Sequence, residues 1–258
     1  ARQQTTVTAV LTLVTLFSSS PSRALQVSPN SPCARECLDA PHLDVSDPSS
    51  SSTLNSDIVC QDADYNSNTG TKFMSCMSCL QKSSFAQGSE SDVKWFLCKW
   101  RSSLMSLWKL LTSLDNLRYK ASYCIFGFPN GTAESSPCTT SRACGVLQES
   151  IQHGIPDPRS TTAYSYCSAG NGEAMDPANF DGCIQCISAE HRTDYLAIVS
   201  DIPFTDKDSA NLSALIALQA GCEQQPAPGT GILGLNSTVF TKGQIQIVDP
   251  STLEDDGG

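Results

Sequence analysis

The sequence predicts a mainly α-helical protein built from two tandem disulfide-rich modules. Four cysteines of the first half recur 107 positions later in the same order. Self-similarity at a fixed spacing indicates two copies of one small unit, and a unit of this size needs covalent help to hold its core. Strand-type alternation is weak along the chain. The matched cysteines are Cys37 and Cys144, Cys60 and Cys167, Cys76 and Cys183, and Cys79 and Cys186.

The remaining cysteines extend the repeat. Each copy has a further cysteine just before these four, Cys33 in the first copy and Cys138 in the second, each within Ser-Pro-Cys. Each copy also has a cysteine after them, Cys124 in the first and Cys222 in the second. Of the 13 cysteines only Cys98 has no counterpart. We predict about six disulfides that stay within their modules and match between them, although six cysteines allow 15 pairings and the spacing does not choose one.

The first residues have the features of a secretory signal peptide. Arg2 precedes an apolar run at 7–17, and Ser22-Arg23-Ala24 supplies small residues for cleavage after Ala24. The run is shorter than the roughly 20 residues of a membrane span. We therefore expect residues 1–24 to be removed and the cysteines to pair in an oxidising compartment, which places the protein outside the cell or on the outer face of the plasma membrane.

The positions of the recurring cysteines define the module boundaries. After a short tail at 25–32, the first module covers 33–130 and includes a Ser-rich loop at 47–55. The second module covers 137–222. Residues 223–258 are expected to form a flexible polar stalk, because they contain a Pro- and Gly-rich turn at 226–229 and end in acidic residues and Gly.

Helical patterns account for most of each module. The two C-x-x-C pairs lie on successive turns of predicted helices, so both cysteines of a pair face one side and we expect each to bond a different cysteine. Gly154 is predicted to stop one helix, and Gly221 to lie near the C-cap of another. The best strand candidate is 244–248. Helices are predicted at 72–81, 93–123, 143–153, 180–189 and 210–221.

The segment at 98–115 interrupts the repeat. Cys98-Lys99-Trp100 can be back-translated to a splice donor and Leu114-Asp115 to an acceptor, and removal of the segment would leave an even twelve cysteines. We interpret it as a possible retained intron. The alternative is a genuine basic amphipathic helix, since apolar residues recur at helical spacing with Lys and Arg between them. Those residues are Leu104, Leu107, Trp108 and Leu111.

The net charge of the chain narrows the classes of binding partner. The net charge is −10 with only 16 Lys and Arg, so the basic footprint that nucleic acid and anionic lipid surfaces require is missing. Three sequons, at Asn130, Asn211 and Asn236, are candidate N-glycosylation sites that fit secretion.

The C-x-x-C pairs, Cys76/Cys79 and Cys183/Cys186, are the first candidates for chemistry. A redox-active pair works by lowering the pKa of one thiol and usually follows a strand, which is not indicated here. Four cysteines could also bind zinc, but the pairs lie over a hundred residues apart in a chain expected to be oxidised. Structural disulfides are the favoured interpretation.

The remaining polar residues suggest no catalytic or metal site. His42, His153 and His191 lie in polar segments outside any hydrolase or metalloprotease motif. The segment that contains Asp62 and Asp64 lacks the glycine and the terminal glutamate of an EF-hand calcium loop, so we expect these residues to form a turn. We predict no catalytic residue, no metal and no cofactor.

Four stretches, at 31–38, 57–65, 123–129 and 221–230, resemble a family of uncharacterised cysteine-rich glycoproteins of filamentous ascomycete fungi, some labelled as LPXTG-domain-containing. The resemblance covers about 31–250. It implies a secreted ectodomain, often followed by one transmembrane helix and a cytoplasmic tail, and no enzymatic activity. Membrane attachment is therefore expected only if a span follows residue 258.

A second resemblance is to the fungal CFEM domain. Pro32-Cys33-Ala34 followed by Cys37-Leu38 is similar to the opening of that eight-cysteine module, which in some members binds haem through an Asp. The later C-x-C and its neighbouring Asp are absent here, and each module has six cysteines. Haem binding is thus a minor alternative.

These observations predict a non-enzymatic extracellular or cell-surface glycoprotein that contacts an unknown extracellular ligand or a cell-wall component. The alternative is a soluble secreted ligand carrier or effector. A disulfide oxidoreductase, the third class, would require a reducible C-x-x-C bridge.

Overall fold

The structure of the protein is a computed structural model. It describes residues 25, 27–43, 50–53, 60, 65–97, 116–128, 138, 142–153, 164–172, 175–189, 198–199, 210–211, 213–229, 231–240 and 245–256. The predicted signal peptide at 1–24, the segment at 98–115 and Gly154 lie outside these residues.

The described chain is mainly helical, which confirms the predicted disulfide-rich helical fold class. The α-helices are α1 (Ala34–Cys37), α2 (Asn68–Lys82), α3 (Asp92–Leu97), α4 (Asn116–Phe126), α5 (Arg142–Gln152), α6 (Pro177–Ala189) and α7 (Ser213–Gln224). 3₁₀ helices cover Ser165–Gly172 and Pro250–Asp256. The short strands are β1 (Ala86–Gln87), β2 (Glu90–Ser91), β3 (Ile198–Val199) and β4 (Ala210–Asn211), paired antiparallel as β1 with β2 and β3 with β4.

Helix α2 shows why the predicted helices form. Ser67 caps its start, because the Ser67 hydroxyl accepts a hydrogen bond from the Gly70 amide at 3.0 Å. Four side chains spaced three and four residues apart make a fully buried stripe along one face. The stripe is Phe73, Cys76, Met77 and Leu80. The stripe brings one cysteine of the C-x-x-C pair into the core.

Helix α6 repeats this design in the second module. Pro177 occupies its first position, where the missing amide hydrogen costs nothing, and the Asp176 carboxylate accepts from the Ala178 amide at 2.9 Å. Phe180, Cys183 and Ile184 are buried, and they lie 107 positions after the first three residues of the α2 stripe. The same sequence pattern therefore buries the same face in both repeats.

Helix α4 lies at the centre of the molecule. All side chains from residue 117 to residue 122 are buried, so the helix is covered on every side along this stretch. It contacts α3 of its own repeat and both α5 and α7 of the second. A single hydrophobic core contains residues of both repeats, including Phe73 and Phe180. The two repeats thus share one interior.

The helix predicted at 93–123 is described only at its two ends. Helix α3 covers Asp92–Leu97 and helix α4 covers Asn116–Phe126, and the segment between them lies outside the described residues. Leu97 and Leu117, one on each side of the segment, are both fully buried in the common core.

The helix predicted at 210–221 is displaced along the chain. Ala210–Asn211 pairs with Ile198–Val199 as a strand, and helix α7 continues to Gln224. It ends there because Gln225 takes a left-handed conformation, with φ 40°, and Pro226 follows it. The C-cap role predicted for Gly221 is therefore wrong.

Gly221 is instead a packing residue inside helix α7. A Cβ atom at this position would lie 2.7 Å from Leu97 Cδ1 and 2.7 Å from the Tyr166 hydroxyl oxygen. Both neighbours are fully buried, and the Tyr166 hydroxyl donates a hydrogen bond to the Leu218 carbonyl at 2.9 Å. Because neither side chain can move into solvent, only glycine lets α3 and α7 approach this closely.

Gly221→Ala is expected to lower the free energy of unfolding by about 1–2 kcal/mol, since overpacking outweighs the gain in helix propensity. Gly182→Ala in helix α6 is the matched control, because no atom lies within 4 Å of a Cβ built there. We expect the control to raise stability by about 0.5–1 kcal/mol. Urea denaturation under non-reducing conditions measures both, and equal stabilisation by the two variants would contradict this account.

The predicted N-terminal tail belongs to the core. Leu25 and Val27 are buried and join the common hydrophobic cluster. The Ser28 carbonyl accepts from the Ser31 amide at 3.1 Å and so turns the chain toward helix α1. The first residues after the expected cleavage site therefore contribute to folding.

The predicted stalk also differs from the structure. Residues 231–248, which we call the arm, pack against the core instead of extending freely; 241–244 lie outside the described residues. Its limbs pair through a bridge between Leu235 and Ile247, and within its described part, 245–248, the strand candidate at 244–248 forms only this short pairing. The arm folds back because it carries apolar side chains that the polar ends of the segment obscure in the sequence. The buried ones are Leu233, Leu235, Val239, Phe240 and Ile245.

Candidate functional site

Six disulfides connect the described cysteines, all within repeats and in the same order in both. The first cysteine bonds the fifth, the second the fourth and the third the sixth, which selects one of the 15 pairings that the sequence left open. Cα–Cα distances of equivalent bridges are 5.7 and 5.5 Å, 4.6 and 4.4 Å, and 5.4 and 5.4 Å. The pairs are Cys33–Cys79, Cys37–Cys76, Cys60–Cys124, Cys138–Cys186, Cys144–Cys183 and Cys167–Cys222.

The C-x-x-C motifs act as clamps in this arrangement. Cys76 bonds Cys37 and Cys79 bonds Cys33, so the two sulfurs of one motif bond partners in the N-terminal part of the repeat. A redox-active motif needs its own two sulfurs to form and release a bridge. The observed pairing instead fastens helix α1 to helix α2, and α6 is bonded in the same way in the second repeat.

Burial divides the bridges into two kinds. Both cysteines of Cys37–Cys76 and of Cys144–Cys183 are fully buried. The bridges that reach the last helix of each repeat, Cys60–Cys124 and Cys167–Cys222, are half-buried at both ends. A reductant in solution therefore has easier access to the latter pair of bridges.

Arg118 of helix α4 joins the two repeats. Its Nη2 donates to the His153 carbonyl at 2.9 Å, and its guanidinium carbon lies 5.5 Å from the centroid of the Tyr166 ring. Both partners belong to the second repeat, and His153 directly follows the end of helix α5. A cation at a helix C-terminus interacts favourably with the helix dipole, and the ring adds a cation–π contact. Arg118 is buried, at 3% exposure, so these contacts are shielded from water.

Lys120 of the same helix is surrounded by aromatic rings. Its Nζ lies 5.1, 5.5 and 5.4 Å from the centroids of Tyr65, Phe73 and Phe240 and donates a hydrogen bond to the Tyr65 hydroxyl. Tyr65 and Phe73 belong to the first repeat and Phe240 to the arm. The lysine is 1% exposed, so cation–π attraction in a desolvated setting links the arm to the first repeat.

Asp92 connects three segments of the first repeat. Its Oδ2 accepts hydrogen bonds of 2.6 Å from the Ser31 and Ser83 hydroxyls, and its amide donates to the Phe85 carbonyl at 3.1 Å. The residue is fully buried, and Oδ1 has no hydrogen-bond partner among the described residues. The carboxylate thereby ties the N-terminal tail to the end of α2 and the start of α3.

Tyr119 of helix α4 is a buried titratable residue. Its ring stacks on Tyr123 with centroids 6.2 Å apart, and burial, with a smaller contribution from Tyr123, raises the pKa of the Tyr119 phenol to about 12. A phenol with a raised pKa stays neutral at physiological pH. Tyr119 is therefore a packing residue rather than an activated acid or base.

The other predicted site residues are not brought together. His42 and His153 are exposed. The backbone carbonyl of His153, rather than its imidazole ring, accepts the hydrogen bond from Arg118. His191, Asp62 and Asp64 lie outside the described residues. Within the part of the chain that the structure describes, no group of three or more His, Cys, Asp or Glu side chains could hold a metal ion.

The sequons are placed differently. Asn236 is exposed on the arm, where its Oδ1 accepts from the Gln246 amide at 2.9 Å. Asn211 lies in strand β4, and Asn130 is outside the described residues. Asn236 is therefore the sequon with a described, exposed side chain.

Sequence reasoning missed the buried cations of helix α4. A signal was available, because alignment of α4 and α7 on Cys124 and Cys222 sets Arg118 against Ile216 and Lys120 against Leu218. The first repeat thus has charges where the second has apolar residues. A difference of this kind within a duplicated pattern marks positions at which the two copies have different contacts.

Comparison with family models, curated proteins and solved structures gave no match to this chain. Among the described residues, no helix combines the length and apolar character that a membrane span requires. The described residues form a disulfide-cross-linked helical scaffold with two buried cations, Arg118 and Lys120.

Proposed function

We propose that this protein is a non-enzymatic extracellular or cell-surface glycoprotein whose two repeats together form a binding ectodomain. The observation that carries the proposal is the pairing of twelve cysteines into six disulfides with one order in both repeats. Such a framework persists only in an oxidising environment and stabilises small helical units outside the cell.

The joined repeats support a binding role. Arg118, the common core and the arm hold the repeats together, so their outer faces are presented as one surface. Rigid scaffolds of this kind lose little conformational entropy when they bind. The partner we propose is an extracellular ligand or cell-wall component, without nucleic acid. Membrane attachment is proposed only through a span following residue 258.

The absence of enzymatic activity is part of the proposal. Each described cysteine is bonded, which leaves no thiolate in the described residues to act as a nucleophile or redox centre. The described histidines, His42 and His153, are exposed and belong to no nucleophile–base pair in the described hydrogen bonds. A fungal origin of the type suggested by the sequence resemblance is consistent with wall contact.

Expression with the native leader in a eukaryotic secretory host tests compartment and chemistry together. We expect protein in the medium or on the surface, starting at Leu25, with a glycosidase-sensitive mass and six bridges by non-reducing peptide mapping. Thiol labelling of the native protein should leave Cys76, Cys79, Cys183 and Cys186 unmodified. Intracellular protein with labelled C-x-x-C thiols would overturn the proposal.

Binding is tested with the same material. Secreted protein is incubated with isolated cell-wall fractions and with intact cells, and bound protein is quantified against a reduced and alkylated control. Retention that requires intact disulfides supports a wall-contact or receptor ectodomain. Protein that stays in the medium and carries a co-purified small molecule would instead favour the soluble carrier.

A further inference from the structure

The arm lies beyond the covalent framework of the described chain. All six bridges fall between Cys33 and Cys222, whereas the arm begins at residue 231. It follows helix α7 after a turn in which Gln225 and Gly229, both exposed, have positive φ angles of 40° and 76°. Its attachment to the helices therefore rests on hydrogen bonds and apolar packing.

The base of the arm is fixed to the second repeat. The Gln224 amide donates to the carbonyls of Gly234 and Val248 at 3.2 and 3.0 Å, and its oxygen accepts from the Gly234 amide at 2.8 Å. A Cβ at Gly234 would lie 2.2 Å from the Val248 carbonyl oxygen, so the close approach of the two limbs requires glycine. The base thus holds both limbs at the end of helix α7.

The tip of the arm, residues 236–240, lies on the first repeat. Gln81 of helix α2 donates to the Ser237 carbonyl and accepts from the Val239 amide, both at 2.9 Å. Phe240 packs edge-on against Tyr65 and Phe73, with centroid distances of 5.3 and 6.1 Å. One side-chain amide thus pairs with the backbone and an aromatic pocket holds the ring, as in peptide recognition.

We propose that the tip is a latch that opens about the fixed base while the disulfide-bonded helices stay folded. Segments without cross-links and with few attachment points open locally at lower free energy than a cross-linked core. Opening would remove Phe240 from Lys120 and uncover a pocket made by Tyr65, Phe73, Lys120 and the Gln81 amide. The tip itself shows what this pocket accepts, a bent peptide segment with an aromatic side chain.

Hydrogen exchange of the full-length, disulfide-intact protein tests local opening. We expect the Val239 amide to exchange at least about 100-fold faster than the slowest amides of helix α7, because the latch opens without global unfolding. Phe240→Ala should accelerate Val239 exchange about tenfold further and leave helix α7 unchanged. Gln246→Ala, at an exposed side chain of the opposite limb, is the matched control and should change neither rate. Equal exchange rates for Val239 and helix α7 in the unmodified protein would overturn the proposal.

Amine labelling supplies a second, independent readout. Lys120 is buried, whereas Lys72 is partly exposed and serves as the internal reference. Phe240→Ala should raise Lys120 labelling at least about fivefold relative to Lys72. In that variant a synthetic peptide of residues 234–248 should protect Lys120, and the same peptide carrying Phe240→Ala should not. If Lys120 is labelled only when the helices unfold, the latch does not open locally. If both peptides protect Lys120 equally, the pocket does not select an aromatic side chain.

Discussion

Replacement of Cys37 and Cys76 together by alanine is expected to lower the free energy of unfolding by about 4 kcal/mol, the largest effect we predict. The bridge closes a sequence separation of 39 residues, for which loop-closure entropy of the unfolded chain alone gives about that value. Both cysteines are fully buried where α1 packs on α2, so lost packing adds to the entropic cost.

The second repeat supplies an internal control for this prediction. Cys144–Cys183 closes the same separation of 39 residues and is equally buried, so its double alanine variant should lose about the same stability. Chemical denaturation under non-reducing conditions measures both. A cost below about 1 kcal/mol in either repeat would show that the clamp contributes little to folding.

Arg118→Met is expected to cost about 2–3 kcal/mol. The variant keeps the length of the side chain but leaves the His153 carbonyl at the end of helix α5 without its charged donor, and it removes the contact with the Tyr166 ring. Release of the buried charge offsets part of the loss, because a desolvated guanidinium is costly to hold in the interior.

Arg118→Lys separates charge from geometry. An ammonium retains the positive charge, but it cannot lie flat on Tyr166 while donating to His153, so we expect about 1–2 kcal/mol of destabilisation. Thermal and urea unfolding of the three proteins give the comparison. If Arg118→Met is as stable as the parent protein, the guanidinium does not hold the repeats together.

The cysteine spacing and the helical periodicity predicted the helical fold class and the identity of the bonded cysteines, because both are local properties of the chain. The stripe of helix α2 follows directly from residues three and four apart. Cysteine pairing could not be obtained in this way, since spacing permits 15 arrangements in each repeat. Only the packing of α1 on α2 and of α5 on α6 brings the second cysteine to the fourth.

The arm was misread for a different reason. Residues 223–258 resemble a polar stalk because the charged and small residues dominate its composition, yet Leu233, Leu235, Val239 and Phe240 find apolar partners far away in the sequence. The composition of a segment gives its average polarity. It does not indicate whether a few of its side chains fit a groove formed by distant residues.

The sequence alone therefore determined a disulfide-bonded helical protein, since these properties depend on residue type and short-range spacing. The tertiary structure decided which cysteines pair, how the repeats join and where the C-terminal segment lies. The buried positions of Arg118 and Lys120 belong to this second group. A charged residue is stable in the interior only when distant parts of the chain supply a carbonyl, a hydroxyl or aromatic rings around it, and no local pattern encodes that arrangement.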